Sequence, residues 1–185
     1  MATVYICRHG QDEDNLAGIL NGRRDRPLTE LGREQANVVA SRLKRSGVLY
    51  NAILTSPLRR ADETARVIGA TLGVSVTIDN ELVERDFGIL TGKPISEIIT
   101  YAGDDVLQGD KVLYFLSVKN AEKFDDCYKR AENILKRVDA DFAGKNVLLV
   151  CHGDIGKMLQ AVRKNISWVE GLKLPYFANT EVVKL

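Results

Sequence analysis

The sequence is poor in the residues that most often signal metal binding or cross-linking, with only two histidines and three cysteines. Three cysteines without regular spacing argue for reduced thiols, so we expect a cytoplasmic protein rather than a disulfide-stabilised one. No hydrophobic run approaches the roughly 20 residues needed to span a bilayer, and the apolar run Val4–Cys7 is too short for a secretory signal. We therefore expect no membrane association and no disulfide scaffold.

An excess of charge of one sign is also missing, because 26 Lys and Arg residues face 25 Asp and Glu residues for a net charge of +1. This balance gives no reason to expect nucleic acid or an anionic membrane as a partner. The chain has 185 residues, 45% of them hydrophobic, and shows no repeat or linker. We expect one domain over residues 1–185 and leave the oligomeric state open.

Short apolar runs alternate with segments of helical periodicity. Strands are predicted at Val4–Cys7, Ala52–Thr55, Val74–Ile78, Val147–Val150 and Thr180–Lys184. Helices are predicted from Thr29 to Gly47, from Ser56 and Pro57 to Gly73, from Ala121 to Phe142, and after a cap at Asp154, with a short one around Ser96–Tyr101. This alternation predicts an α/β three-layer sandwich with a mainly parallel central sheet and helices on both faces.

Histidines and arginines stand where the predicted strands end. Arg8 and His9 follow the first strand, and His152 follows the fourth. Arg59 and Arg60 follow the second strand, and because helical neighbours point about 100° apart, only one of them can face a site. Ligands of such sheets bind outside the carboxyl ends of the strands. We therefore expect both histidines, Arg8 and one further arginine at one rim.

These residue types suit a phosphoryl group. Arginines offer fork-shaped donors that match its oxygens, and a neutral imidazole beside it is a natural nucleophile. Two histidines with carboxylates nearby also suggest a metal site, but the arginines already supply the positive charge there. We predict no metal and no cofactor.

Several ordered sequence blocks carry a family resemblance. They are Arg8-His9-Gly10 with Asn15, then Gly22, Asp25, Pro27–Thr29, Gly32, Gln35 and Ala36, then Ser56–Ala61 with Thr64 and Ala65, then Leu82, Glu84, Phe87 and Gly88, and finally His152-Gly153 and Asn179. In this order they resemble the histidine phosphatase superfamily, in its phosphoglycerate mutase-like branch. The blocks span nearly the whole chain, which makes the resemblance far more specific than one tripeptide.

The resemblance implies a role for each catalytic candidate. His9 would attack phosphorus and form a phosphohistidine, which water then cleaves. Arg8, Arg60 and His152 would hold the phosphoryl oxygens, with Arg60 chosen over its neighbour because it directly precedes the alanine of the block. Glu84 would protonate the leaving oxygen and later activate water.

The resemblance also implies substrate contacts at Asn15, Gly22, Arg23 and Gly153. For Asn15 and Arg23, an ordinary loop role is the alternative. The related branch takes its acid from an aspartate directly after the second histidine, but here Gly153 intervenes, so Asp154 is only a reserve acid. Elsewhere, Arg24 and Arg26 are expected in a solvated loop.

Electrostatics supports these roles in part. Arginines about 5 Å from His9 would help to keep the imidazole neutral, since one unit charge at that distance shifts a pKa by roughly two units. The same field is expected to keep Glu84 ionised until a phosphate dianion binds and raises its pKa. We expect Arg85 to be a surface or ion-pairing residue.

Three functions remain open. A small-molecule phosphomonoesterase is favoured over a bisphosphoglycerate-dependent mutase, because Lys93–Asn120 contains no arginine for a second acidic group and Phe87 replaces a tyrosine that such mutases tend to have. A non-catalytic phospho-ligand binding module is the third. Cys151, next to His152, is either an inert core residue or a thiol activated by the nearby arginines.

Overall fold

Seven strands form the two sheets of the fold. They are β1 (Thr3–Arg8), β2 (Ala52–Thr55), β3 (Val76–Ile78), β4 (Val106–Gln108), β5 (Leu113–Phe115), β6 (Asn146–Cys151) and β7 (Val182–Lys184). The computed structural model describes all residues 1–185. The main sheet has five strands in the order β3-β2-β6-β1-β7, and β4 pairs with β5 in a separate antiparallel ribbon.

The main sheet is parallel except at one edge. β1 pairs with β6, β6 with β2 and β2 with β3, all in parallel, while β7 runs antiparallel to β1. In the register of β1 and β6, Arg8 lies opposite Cys151. His9 and His152 each stand one residue past this pair, so the register delivers both imidazoles to the same edge of the sheet.

Seven helices accompany the strands. They are α1 (Glu13–Ala17), α2 (Glu30–Arg45), α3 (Arg59–Leu72), α4 (Ile98–Ala102), α5 (Phe124–Asp141), α6 (Gly153–Lys164) and α7 (Trp168–Leu172). α2 and α3 pack on one face of the sheet and α5 and α6 on the other, which confirms the α/β sandwich. None of these helices is long and apolar enough to cross a membrane.

The central strands are apolar on both sides because both faces are covered. Leu148 and Val150 belong to the core under α2 and α3, whereas Val147 and Leu149 belong to the core under α5 and α6. All four side chains are completely buried. Full burial of such a side chain contributes about 1.5–3 kcal/mol, so β6 anchors the fold and fixes the position of His152 at its end.

Helix starts follow the prediction for α2 and depart from it for three others, one of them α5, which begins at Phe124 and not at Ala121. Thr29 caps α2, and its hydroxyl accepts a hydrogen bond from Gly32 N at 3.0 Å. The prediction that α3 starts at Ser56 and Pro57 is wrong, because the helix begins at Arg59 and the Ser56 hydroxyl is bonded to His152. Asp154 is not the cap of α6 either, since that helix already begins at Gly153.

The segment Lys93–Asn120 forms a small subdomain beside the edge of the sheet at which His9 and His152 stand. The predicted short helix occurs as a 3₁₀ turn at Ile95–Glu97 followed by α4. Its small hydrophobic core consists of Ile98 and Phe115 from the segment together with Phe87 and Leu90, which precede it. Backbone hydrogen bonds from Leu20 N to Lys93 O and from Ile95 N to Gly18 O join it to the loop after α1.

Candidate active site

Two imidazoles lie next to each other at the edge of the sheet, with their ring planes tilted by 57°. The ring centroids of His9 and His152 are 5.0 Å apart. Nδ1 of His9 lies 2.7 Å from Gly10 O, and because a carbonyl oxygen only accepts, Nδ1 carries the proton and Nε2 keeps its lone pair. Nε2 of His152 lies 2.7 Å from the Ser56 hydroxyl. Of the two ring nitrogens of His9, Nε2 is therefore the one with a lone pair that could attack a ligand.

Arg60 joins the two histidines from within the core. Its Nε lies 3.2 Å from His9 Nε2, from His152 Nδ1 and from an Asp12 carboxylate oxygen. The other nitrogens of the guanidinium donate to the carbonyl oxygens of Arg24 and Gly22 at 2.7 and 2.8 Å. Arg60 has no exposed surface, so its side chain is fixed before any ligand arrives.

The pKa values of both histidines are lowered well below the ordinary imidazole value. For His9 the main cause is burial, followed by the charges of Arg60 and Arg8. For His152 burial again comes first and Arg60 second. The predicted neutral state is thus supported, with burial as a larger cause than the arginine field on which the sequence argument rested.

Arg8 forms part of the wall of a cavity next to His9. One terminal nitrogen donates to Tyr176 Oη and to Phe177 O, both at 2.8 Å. Its Nε is buried and has no hydrogen-bond partner. Since a buried unpaired donor is costly, this nitrogen is a ready donor for an anionic ligand.

The carboxyl group of Glu84 lies against the first residues of α6. Its carboxyl group accepts hydrogen bonds from the backbone N–H groups of Arg85, Ile155 and Asp154 at 2.9, 3.1 and 3.2 Å. Even so, burial and then the charge of Asp154 raise the pKa of Glu84. This direction is opposite to the lowering that the positive field alone would give, because burial of the carboxyl group outweighs that field. That Glu84 is ionised in the empty site stays a prediction.

The reserve acid, Asp154, is committed to another partner. Its Oδ2 accepts from Arg85 Nε at 2.7 Å. Arg85 is 1% exposed, and its guanidinium lies 4.1 Å from the ring centroids of both Phe115 and Phe124. Arg85 is therefore an ion-pairing residue, as one of the two expectations had it, and not a surface residue.

A cavity of about 290 Å³ opens beside these groups. Its wall includes Arg8, Glu84, Asn15 and Gly153, together with Asn179, whose amide donates to His9 O at 2.8 Å. His9, His152 and Arg60, at most 2% exposed, lie behind this wall.

Two predicted substrate contacts do not reach the cavity. Gly22 receives the bond from Arg60, and a Cβ there would come within 3.0 Å of Phe87. Arg23 donates from Nε to Glu84 O at 3.1 Å and pairs with Glu122. A direct substrate contact by Gly22 or Arg23 stays a prediction, and their observed contacts support Arg60 and Glu84 instead.

The loop arginines expected in solvent differ from each other. Arg24 is two-thirds buried and pairs with Asp14 at 2.9 Å, whereas Arg26 is 45% exposed. The expectation of a solvated position is thus correct for Arg26 and only partly correct for Arg24. Arg59 is 58% exposed and pairs with Glu63, so Arg60 is the member of the pair that reaches the site.

Sequence reasoning missed Asp12, Ser56 in its observed role, and Tyr176. Asp12 is fully buried, faces Arg60 and accepts from Asn21 Nδ2 at 2.7 Å. It stands in a polar loop among other acidic residues, and nothing in that pattern distinguishes it from Glu13. Only the position of Arg60 in space identifies the carboxylate that meets it.

The three cysteines are free and buried. Burial raises the pKa of Cys7 to about 12, and it raises the pKa values of Cys127 and Cys151 well above the ordinary thiol value. Of the two readings of Cys151, the inert core residue is the one that its surroundings favour. No group of three or more His, Cys, Asp or Glu side chains is arranged to hold a metal ion.

Comparison with known proteins identifies the class to which this fold and site belong. Residues 4–185 match the histidine phosphatase superfamily (branch 1), and the chain belongs to this family. Among curated proteins, a stretch of 98 residues is 37% identical to Probable phosphoglycerate mutase GpmB of Yersinia pestis (strain Pestoides F). That stretch covers 53% of this chain and 45% of the relative.

Solved structures match over the whole fold. A mycobacterial glucosyl-3-phosphoglycerate phosphatase complexed with VO3 has a TM-score of 0.83 and 25% identity, over 100% of this chain and 91% of the other. YhfR of Bacillus stearothermophilus has a TM-score of 0.82 and 28% identity, over 98% of this chain and 89% of the other. Both phosphatases and a phosphoglycerate mutase-like relative are thus among the proteins that this chain resembles.

Proposed function

We propose that the protein is a phosphomonoester hydrolase that acts on a small phosphorylated metabolite through a phosphohistidine. The observation that carries this proposal is the pair of neutral imidazoles at 5.0 Å, both bonded to Arg60 and placed behind a cavity that Arg8 and Glu84 line. This arrangement brings together the proposed nucleophile, the anion-binding groups and the proposed proton donor.

In the first step, the lone pair on His9 Nε2 attacks phosphorus as the bond to the ester oxygen breaks. The bond from Nδ1 to Gly10 O holds the ring in the reactive tautomer. Glu84, whose pKa is raised by burial, gives its proton to the leaving oxygen. The products of this step are the alcohol and a phosphohistidine.

In the second step, water attacks the phosphohistidine. The Glu84 carboxylate accepts a proton from this water, the N–P bond breaks, and inorganic phosphate leaves with His9 neutral again. Arg8, through its unpartnered Nε, and the positive charge of Arg60 would stabilise the charge on the phosphoryl oxygens in both steps. The Nε–H of Arg60 would leave His9 Nε2 as that lone pair attacks phosphorus, keeping its bonds to His152 and Asp12.

Rapid quenching with ³²P-labelled substrate tests this mechanism. The wild type should yield a phosphoenzyme that is labile in acid and stable in base, and His9→Ala should yield none while circular dichroism shows an intact fold. Ser41→Ala, an exposed position on α2, is the matched control and should leave the adduct unchanged. An acid-stable adduct would point to a serine or threonine ester and overturn the proposal.

Mutase activity is the second candidate, favoured by the name of the relative from Yersinia pestis. Against it, Lys93–Asn120 contains no arginine, whereas a mutase has to hold a second acidic group of its substrate. With 3-phosphoglycerate and catalytic 2,3-bisphosphoglycerate, a hydrolase releases phosphate and a mutase forms 2-phosphoglycerate. Isomerisation faster than phosphate release would reverse our choice.

The proposal includes metal-independent catalysis, a cytoplasmic location, and no nucleic-acid or membrane partner. Buried reduced thiols and the balanced charge support the last two points. Two arginines at the site supply the charge that a metal ion would otherwise provide. Activity should survive exhaustive treatment with EDTA, and a loss that zinc or magnesium restores would contradict metal independence.

A further inference from the structure

Hydrophobic side chains make up 8 of the 17 residues that line the cavity. Six of them are Ile19, Leu20, Phe87, Ile95, Val112 and Tyr114. The polar residues of the lining include Arg8, Asn15, Glu84, Gln11, Asn21 and Asn179. A wall of aliphatic and aromatic side chains gains free energy when it covers an apolar group and none when it covers a hydrated anion.

One hydrophobic side chain of the lining is also exposed at the protein surface. Ile95 lines the cavity although it is 53% exposed. An apolar group bound in the cavity would remove part of this side chain from water, which is favourable.

Within the cavity lining, no cation besides Arg8 is free to bind a second acidic group of the substrate. Lys157 lines the cavity, but it is 2% exposed and its ammonium donates to the carbonyl oxygens of Leu174 and Pro175. Asp154, also in the lining, is paired with Arg85 and adds no positive charge. Lys111 lies outside the lining, with its ammonium 6.0 Å from the ring centroid of Tyr176.

From this arrangement we infer the substrate class: a monophosphate ester of an uncharged, hydrophobic alcohol, either a phenol or a short-chain alkanol. The inference rests on the proposed hydrolase function. The phosphoryl group lies against Arg8 and Glu84, and the apolar group lies between Phe87 and Ile95. The cavity of about 290 Å³ is at the small end of ligand sites, which limits the leaving group to about one ring or a short chain.

A homologous series of alkyl phosphates tests this inference, because methyl, butyl and hexyl phosphate have leaving oxygens of similar basicity. Each methylene that enters the apolar wall should raise kcat/KM by up to about fourfold, so butyl phosphate should exceed methyl phosphate by at least tenfold. 3-Phosphoglycerate, with a carboxylate near its ester, should be a poorer substrate than butyl phosphate by a similar factor.

Variants locate the effect in the cavity. Ile95→Ser should reduce the ratio of kcat/KM for butyl over methyl phosphate at least threefold. Ile78→Ser is the matched control, since Ile78 is 49% exposed on the edge strand β3 and lies outside the cavity. That variant should keep the wild-type ratio.

The outcomes separate this inference from the proposed function. Phosphate release that is flat or falls along the alkyl series, or that is faster from 3-phosphoglycerate, overturns the substrate class and leaves the hydrolase intact. No phosphate release from any ester, p-nitrophenyl phosphate included, overturns the hydrolase and the inference with it.

Discussion

Arg85 and Asp154 are paired through their side chains at 2.7 Å, and the backbone N–H groups of the same two residues both donate to the Glu84 carboxyl group. The ion pair thus fixes two of the three amides that hold Glu84. It also keeps a negative charge close enough to raise the pKa of Glu84, in addition to the effect of burial. One ion pair thus affects both the position and the pKa of the proposed proton donor.

Replacing Asp154 with Asn should move the pH dependence of kcat. Loss of its negative charge lowers the pKa of Glu84, and the unpaired Arg85 cation acts in the same direction. Because the general acid has to be protonated, activity falls as pH rises through that pKa, so the alkaline limb of the profile should move to lower pH. Kinetics between pH 5 and 9 measures this shift.

The Asp154→Asn variant should also be less stable by about 3–5 kcal/mol in urea denaturation, because it leaves a buried cation without its partner. Asp62→Asn is the control, since its ion pair with Arg66 lies on the exposed face of α3. It should change neither the pH profile nor stability beyond about 0.5 kcal/mol. If the alkaline limb does not move in Asp154→Asn, then Asp154 does not affect the pKa of the general acid.

Glu84→Gln should depend on the leaving group. With alkyl phosphates, whose leaving oxygens are strongly basic, loss of the general acid should reduce kcat by about 10²–10⁴-fold. With p-nitrophenyl phosphate, which needs little protonation, the loss should be far smaller. Equal losses on both substrates would mean that Glu84 only supports the structure.

The thiol at position 151 should be unreactive in the folded enzyme. Cys151 has no exposed surface, and burial is the first cause of its raised pKa. Iodoacetamide at pH 8 should therefore neither inactivate the enzyme nor label this residue, with or without inorganic phosphate. Mass spectrometry should find it alkylated only after unfolding, and phosphate-protected inactivation of the native enzyme would support the opposite reading.

Gly32→Ala should be disruptive because a Cβ there would overlap the carbonyl oxygen of Gln11, and a Cβ on Gly10 would in turn overlap Gly32. Backbone atoms cannot move aside as a side-chain tip can, so we expect at least 3 kcal/mol of destabilisation. The loop that carries His9 should shift as well, with a loss of kcat. Gly47→Ala, which has open space and only a positive φ of 73°, should cost about 1–2 kcal/mol and leave kcat unchanged.

The fold and the main site residues could be predicted because they depend on local signals. Apolar runs of strand length set β1, β2 and β6, and the side chains directly past two of them are His9 and His152. Parallel pairing then brings both imidazoles to one edge without further information. The segment Lys93–Asn120 was harder, because its small core depends on contacts with Phe87 outside it.

What escaped prediction depends on burial and on partners distant in sequence. The sign of the pKa shift of Glu84 follows from complete burial and from a carboxylate 70 residues away. α3 begins at Arg59 rather than at the predicted Pro57, although the Ser56 hydroxyl accepts from Leu58 N as a cap would. The same hydroxyl also bonds to His152, 96 residues away. No local pattern contains these partners.

The strand order also has a consequence for how the chain folds. β1 is made first, yet its two neighbours, β6 and β7, begin at Asn146 and Val182. Until those segments leave the ribosome, both edges of β1 are unpaired and its apolar residues lack their sheet. Such long-range pairing makes folding slow and leaves an early strand open to aggregation. The site around His9 and His152 should therefore form late, so that nascent chains carry His9, the proposed nucleophile, before the site exists.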